Sequence, residues 1–105
     1  MINGLLIVNK PKDYTSRDVV NEVGKILHTK KIGHTGTLDP IATGVLVLTI
    51  GSCTKLTDIL TSSYKEYHAK CILGVLTDTL DITGTVLKTS EIGEISKENI
   101  LKTVM

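Results

Sequence analysis

Residues 33–50 read GHTGTLDPIATGVLVLTI, a loop rich in glycine and threonine followed by a short apolar run. The loop, residues 33–44, holds four glycine or proline residues and three threonines. Such a composition brings backbone N–H groups and small hydroxyls close to a ligand, because glycine has no side chain to keep the ligand away. Residues 45–50 are apolar or β-branched and stop at Gly51, which predicts a strand. We therefore expect a functional loop carried by a rigid scaffold.

The segments before and after this loop indicate both strands and helices. Gly4–Asn9 is a short apolar run that predicts a buried strand. Thr15 and Asp18 have the spacing of a helix start, and apolar residues then recur at helical spacing as far as His28. Downstream we expect a short helix around residues 56–60, a strand over residues 67–73, a strand over residues 85–88, and a helix that has Ser96 as N-cap and includes Met105.

The order of these elements predicts the fold class. Helices and strands are mixed along the chain, and several strands are joined by turns rather than by crossover helices. Strands joined in this way pair in the antiparallel sense. We therefore predict an α+β fold with a mixed, largely antiparallel sheet and flanking helices.

Composition places the chain among globular proteins. It has 105 residues, of which 41% are hydrophobic and 22% charged, a balance that suits one small domain. No apolar run approaches the ~18 residues of a membrane helix, and the first residues lack the features of an export signal, so we expect a cytoplasmic protein. Cys53 and Cys71 form neither a C-x-x-C pair nor a metal-ligand spacing, and we expect two buried free thiols.

Charge is unevenly distributed along the chain, although the net charge is only +1. Residues 1–34 carry six cationic and three acidic side chains, whereas residues 75–105 carry three lysines and five acids. A basic N-terminal third is compatible with a surface that contacts phosphates. It does not demand such a surface, because a solvated charged face is the commoner outcome of this charge distribution.

Asp39 and His34 are the groups of the loop that could carry chemistry. Asp39 precedes Pro40, so it either forms a turn or presents a nucleophile or base at the edge of a cleft. His34 is either structural or in contact with a ligand. Two phosphate motifs are excluded, because no stretch fits the P-loop and because the phosphorylation loop of P-type ATPases requires an aspartate where Gly33 stands.

Taken together, residues 33–40 and 42–46 resemble the signature of TruB-type pseudouridine synthases, in the bacterial branch that modifies the tRNA T loop. Other segments that resemble the family's motifs follow in the family's order: Val8-Asn9-Lys10-Pro11, Thr15-Ser16, Gly51–Lys55, Lys65-Glu66-Tyr67 and Thr77–Gly84. The resemblance covers most of residues 3–87 and is weak over residues 88–105. Cys53 departs from it, since the family usually has alanine there.

The resemblance implies an enzyme that isomerises the uridine at position 55 of the tRNA T loop to pseudouridine. It implies no metal and no organic cofactor, the tRNA T arm as partner, and a monomer when the protein is complete. By the resemblance His34 contacts the T loop and helps to displace the base, Tyr67 stacks on it, and Lys10 supports the site. The site residues implied in this way are Asp39 as the catalytic aspartate and His34, Tyr67, Lys10, Gly36 and Thr37 around the substrate.

The resemblance also implies that part of the family's protein lies outside these residues. Family members are longer, and their later half supplies an arginine that pairs with the catalytic aspartate, followed by an RNA-binding module. Arg17, the only arginine here, belongs to the first predicted helix. We therefore interpret residues 1–105 as the N-terminal part of a catalytic domain, from a fragment or a split enzyme. We expect this chain alone to be inactive.

The role of Asp39 and the class of the protein both stay open at the level of sequence. Asp39 could act as a nucleophile or charge stabiliser at the sugar carbon, or as a base that takes a proton from the sugar. The chain could belong to a non-catalytic or guide-dependent RNA-binding module of the dyskerin-like branch. An unrelated small phosphate-binding domain is the third reading.

Overall fold

The computed structural model describes residues 2–104 of the chain. They divide into two compact units, one that ends at Lys65 and one that begins at Glu66. Met105, which was expected in the last helix, lies outside the described residues. The predicted α+β class is confirmed, because helices accompany antiparallel strands.

The first unit contains a three-stranded sheet and two helices. Its elements in chain order are β1 (Gly4–Lys10), α1 (Ser16–Leu27), β2 (Ile32–His34), β3 (Gly44–Ile50), a 3-10 helix (Gly51–Leu56) and α2 (Thr57–Thr61). The strand order is β1-β3-β2, and both pairings are antiparallel. Because β3 is central, the loop between β2 and β3 begins and ends on neighbouring strands.

Helix α1 begins where its sequence predicts. Thr15 is the N-cap, and its side-chain oxygen accepts the Asp18 N–H at 2.9 Å. The Asp18 carboxylate accepts the Thr15 N–H at 2.9 Å, which completes a capping box and holds the pKa of Asp18 below its usual value. The helix ends at His28, which has a left-handed backbone and donates its N–H to the Gly24 carbonyl.

The core of this unit lies between α1 and one face of the sheet. Val19 and Val20 of α1 pack against Leu46 and Leu48 of β3. Partly buried side chains extend this cluster, and one of them is Leu38 from the loop between β2 and β3. The loop is therefore anchored in the core by an apolar side chain next to Asp39.

Strand β1 corrects the expectation of a buried strand. The side chain of Leu5 is 51% exposed and that of Ile7 is 70% exposed, whereas Lys10 is buried. The sheet face that packs on α1 is covered, whereas the opposite face is covered only in part, where Thr49 meets Thr57 of α2. Strand β1 also lies at the edge of the sheet. Strand β2 was not predicted, because its three residues become a strand only by pairing with β3.

The second unit contains a two-stranded antiparallel sheet of β4 (Val75–Thr77) and β5 (Val86–Thr89), followed by α3 (Lys97–Val104). The strand expected near residues 85–88 and the helix after Ser96 are confirmed, and the Ser96 hydroxyl accepts the Asn99 N–H at 3.1 Å. The strand expected over residues 67–73 is wrong, since this segment has no regular structure. Alternating side chains do not make a strand without a partner for its backbone groups.

The cysteine prediction is also corrected in part. Both thiols are free, but Cys53 is only partly buried and Cys71 is exposed. Cys71 lies in the segment without regular structure, where no sheet covers it. Within residues 2–104 no helix is long and apolar enough to cross a membrane.

Candidate functional site

The loop between β2 and β3 is held at both ends and in the middle. At its start the buried Thr35 donates its N–H to the Val47 carbonyl at 3.0 Å and its hydroxyl to the same oxygen at 3.2 Å. Near its middle the Ala42 N–H donates to the Asp39 carbonyl at 2.9 Å, which closes a four-residue turn. Asp39 and Pro40 occupy the two turn positions that favour these residue types. The Asp-Pro turn is thus confirmed for the backbone, and the carboxylate stays available for chemistry.

Ser16, the first residue of α1, holds the residue that precedes Asp39. Its Oγ accepts the Leu38 N–H at 3.0 Å and donates to the Leu38 carbonyl at 3.4 Å. The side chain of Ser16 is only 2% exposed, so these contacts are shielded from water. Sequence patterns place Ser16 at a helix start and predict no other role for it. Nothing local could reveal its partner, which lies 22 residues further along the chain.

Lys10 holds the residue that follows Asp39. It is fully buried, and its Nζ donates to the carbonyls of Pro11 at 2.9 Å, Tyr14 at 2.6 Å and Pro40 at 3.2 Å. An ammonium has three hydrogens, so all of them find acceptors. The Pro40 carbonyl also accepts a backbone N–H, from Asp13 at 2.6 Å. The end of β1 and the turn after it therefore fix the position of the Pro40–Ile41 peptide, one residue after Asp39.

Asp39 itself is exposed, between these two fixed neighbours. Among residues 2–104 no cationic group lies within ion-pair distance of its carboxylate. Its backbone is thus restrained by buried contacts, while its carboxylate faces solvent. A carboxylate presented in this way can stabilise a developing positive charge, bond to an electrophilic carbon or take a proton.

His34, Gly36 and Thr37 lie in the same loop region. His34 ends β2, and its Nδ1 is 3.3 Å from the Gly36 carbonyl, so Nδ1 carries the hydrogen of this contact. A Cβ added at Gly36 would lie 2.8 Å from Cε of Lys65, so the Lys65 side chain crosses directly over this glycine. Thr37 is exposed. The loop therefore presents an imidazole and a hydroxyl near Asp39 in sequence, and the side chain of Lys65, from after α2, lies over Gly36.

Five of the six predicted site residues belong to the first unit. Lys10, His34, Gly36, Thr37 and Asp39 all lie on β1, on β2 or in the loop that follows β2. Tyr67 belongs to the second unit, where it is 65% exposed and lies outside any strand. The first unit thus contains the loop and its supports, and Tyr67 is not part of it.

A basic groove lies along α1 and the segment that leads to β2. Its volume is about 670 Å³, and four of its nine lining residues are Arg17, Lys25, His28 and Lys30. None of its lining residues within the described range 2–104 is acidic. Lys25 forms an exposed ion pair with Glu22 at 3.6 Å, which neutralises it only weakly. The sequence predicted the basic character of this part of the chain but not its concave shape.

Comparison with known families identifies the loop and its scaffold. A model of the N-terminal domain of TruB family pseudouridylate synthases matches residues 24–105 of the chain. This range includes β2, the loop and β3. The chain belongs to the TruB family.

Curated relatives of this TruB family chain carry one name. The chain is 47% identical over 103 residues to tRNA pseudouridine synthase B of Clostridium tetani, a match that covers 98% of this chain and 36% of the relative. It is 48% identical over 101 residues to the protein of that name from Bacillus pumilus, covering 95% of this chain and 33% of the relative. The chain therefore spans about a third of the length of these relatives.

The matched ranges differ in how much of the β1–α1 segment they include. The family model begins at Gly24, so Lys10 and Ser16 precede its match. A match to tRNA pseudouridine synthase B of Bacillus velezensis covers the whole chain at 43% identity and therefore includes both residues.

Proposed function

We propose that this chain is the N-terminal part of the catalytic domain of a tRNA pseudouridine synthase, with Asp39 as its catalytic residue. The observation that carries the proposal is the state of Asp39, an open carboxylate whose two neighbours are held by buried side chains. The proposed substrate is the uridine at position 55 of the tRNA T loop. The names of the curated relatives support the reaction class.

In the proposed reaction the N1–C1′ bond of uridine breaks, the uracil rotates, and C5 forms a new bond to C1′. C5 then loses its proton and N1 gains one, so the product is an isomer of uridine. Loss of the base builds positive charge on the sugar, as in glycoside hydrolysis. The Asp39 carboxylate stabilises this charge or bonds to C1′, or it takes the sugar proton that a glycal-type route releases. In either case the carboxylate must stay in one place while the base moves, which is what a restrained backbone provides.

The target uridine must leave its stack before Asp39 can reach the sugar. Extruding a base costs a few kcal/mol. We propose that His34 contacts the T loop and helps to displace the base, and that Gly36 and Thr37 contact the distorted nucleotides. Tyr67 stacks on the extruded uracil, which recovers about 1–3 kcal/mol.

The basic groove supports binding of the tRNA backbone. Three permanently or normally cationic side chains, Arg17, Lys25 and Lys30, line one concave surface. Phosphates bind to such surfaces mainly through charge, which makes the affinity dependent on salt. This contribution would be independent of sequence, so recognition of the T loop depends on the loop residues.

Exposed apolar side chains support the proposal that further protein follows this chain. In the second unit Ile72, Leu73, Leu76 and Leu87 are each at least 45% exposed. A surface with several exposed apolar side chains is often covered by another part of the protein or by a partner. We propose that the later part of the protein covers it and supplies the arginine that the family resemblance places beside Asp39.

The test compares the complete protein that contains this chain with its Asp39→Asn variant. Asn keeps the size of the side chain and removes the charge. We expect the wild type to form pseudouridine at position 55 of an unmodified tRNA transcript. The variant should bind the same tRNA and form none. Wild-type binding without turnover would support the guide-dependent alternative, and turnover by Asp39→Asn would refute the assignment of Asp39.

A transcript with cytidine at position 55 tests the substrate assignment separately. Pseudouridine should be absent from the T loop of this transcript. Modification of another uridine at the wild-type rate would show that the enzyme class is right and the position wrong.

A further inference from the structure

Ser16 makes contacts that the start of a helix does not require. The N-cap of α1 is Thr15, and the reciprocal bonds between Thr15 and Asp18 already complete the capping box. The Ser16 hydroxyl takes no part in this cap and is buried, bonded to Leu38 of the loop between β2 and β3. The hydroxyl of Thr15 therefore caps the helix, and the hydroxyl of the next residue, Ser16, bonds to another segment.

The Ser16 hydroxyl bonds to both polar backbone groups of one loop residue. It accepts the Leu38 N–H at 3.0 Å and donates to the Leu38 carbonyl at 3.4 Å. A neighbouring strand would offer a residue the same pair of contacts. Leu38 has no strand beside it at this point, so a single side chain takes the place of one. The two peptide planes that meet at the Leu38 Cα are consequently both held by Ser16.

We infer that Ser16 is a positioning residue for Asp39. The carbonyl that Ser16 holds belongs to the peptide bond between Leu38 and Asp39. On the other side of Asp39 the Pro40 carbonyl is held by Lys10 at 3.2 Å. Two buried side chains from the β1–α1 segment thus restrain three consecutive loop residues. This inference rests on the proposed function of Asp39.

Removing the hydroxyl releases one of these two restraints. In Ser16→Ala the Leu38 N–H and carbonyl lose their partner, while the contacts of Pro40 stay. The Asp39 Cα can then move relative to a bound nucleotide. A misplacement of about 1 Å costs about 10²-fold in rate. The contacts of the tRNA with the rest of the protein are unchanged, so the effect should fall on kcat, with KM within about twofold of the wild type.

The experiment uses the complete protein with Ser16→Ala, and Thr15→Ala is the matched control. Both variants remove one hydroxyl from adjacent residues of the same helix start, but only Ser16 touches the loop. Turnover of tRNA is measured below the unfolding temperature of both variants. We expect kcat to fall at least about tenfold in Ser16→Ala and less than about twofold in Thr15→Ala.

Two results would overturn the inference: an unchanged kcat in Ser16→Ala, or equal losses in the two variants. If Ser16→Ala does not fold, Ser16→Cys keeps the volume and weakens both hydrogen bonds, and the same comparison with Thr15→Ala applies. Asp39→Asn is run beside them. An active Asp39→Asn would refute the proposed function, whereas an inactive Asp39→Asn with a fully active Ser16→Ala would refute this inference alone.

Discussion

The buried ammonium of Lys10 offers the strongest test of how the site is held. Lys10→Met keeps an unbranched side chain of similar length and removes the three hydrogen bonds of Nζ. The carbonyls of Pro11 and Tyr14 would then lose the partner that Lys10 provides. The Pro40 carbonyl would keep the Asp13 N–H at 2.6 Å. The variant therefore affects two carbonyls more severely than the third.

The magnitude follows from those two carbonyls. A buried polar group left without a partner costs about 1–3 kcal/mol. Pro11 and Tyr14 are exposed residues, so water can replace part of each hydrogen bond that the variant removes. The methionine also avoids the cost of burying a charge, which offsets some of the loss. We expect Lys10→Met to lower the free energy of unfolding by about 2–4 kcal/mol.

Lys12→Met is the matched control, because Lys12 is exposed and lies two residues away. The midpoint of urea unfolding is measured for the complete protein and both variants, together with turnover. Lys12→Met should lie within about 0.5 kcal/mol of the wild type. If Lys10→Met is as stable as Lys12→Met, the three carbonyl contacts do not stabilise the protein. If it is less stable but fully active, Lys10 supports the fold and not the position of Asp39.

Four further predictions test the other parts of the site. Tyr67→Ala should lose most activity and Tyr67→Phe should keep more of it, because Phe retains the stacking face; equal losses would assign the effect to the hydroxyl. The backbone and side-chain bonds from Thr15 lower the pKa of Asp18, so its contribution to stability is present above the ordinary pKa of 3.8 and is lost as pH falls through the lower folded value. Urea unfolding of wild type and Asp18→Asn should therefore converge as pH falls below about 4, and a constant difference would contradict the capping account. Replacing Arg17 and Lys30 together by Gln should weaken tRNA binding and reduce the salt slope of the binding constant by about 1 for each phosphate that is no longer neutralised. The control Lys12→Gln should leave both unchanged, and equal salt slopes for the double variant and the wild type would show that the groove does not contact the tRNA. The isolated 105 residues should form no pseudouridine and should gain Asp39-dependent activity only when the remaining part of the protein is added in trans.

The fold was predictable where the determining contacts are local. The start of α1 follows from Thr15 and Asp18, three residues apart, and from apolar residues at helical spacing. The turn at Asp39 follows from the dipeptide Asp-Pro. Strand β2 could not be predicted from local sequence, because it forms a strand only by pairing with β3. The strand prediction for residues 67–73 was wrong for the opposite reason, because the side chains alternate but the backbone pairs with no other strand.

The sequence predicts the group that we propose to be reactive, but it does not predict the supports of that group. Asp39 is recognisable from the motif around it, and Lys10 from the family's Lys-Pro turn. Neither pattern predicts that the Lys10 side chain is fully buried with three carbonyl acceptors. The partner of Ser16 is equally hidden, because its contact with Leu38 joins segments 22 residues apart. Such contacts depend on how α1 packs against the sheet, which local patterns do not specify.

These supports suggest how the proposed complete enzyme would hold its catalytic carboxylate. The position of the Asp39 backbone is determined within the first unit, by Ser16 on one side and Lys10 on the other. The direction of its carboxylate is not, because the described residues 2–104 place no cation within ion-pair distance of it. A carboxylate with a fixed Cα still rotates about its side-chain bonds, and only a partner group can select one orientation. The arginine proposed in the later part of the protein would therefore complete a site whose location the first 65 residues already determine.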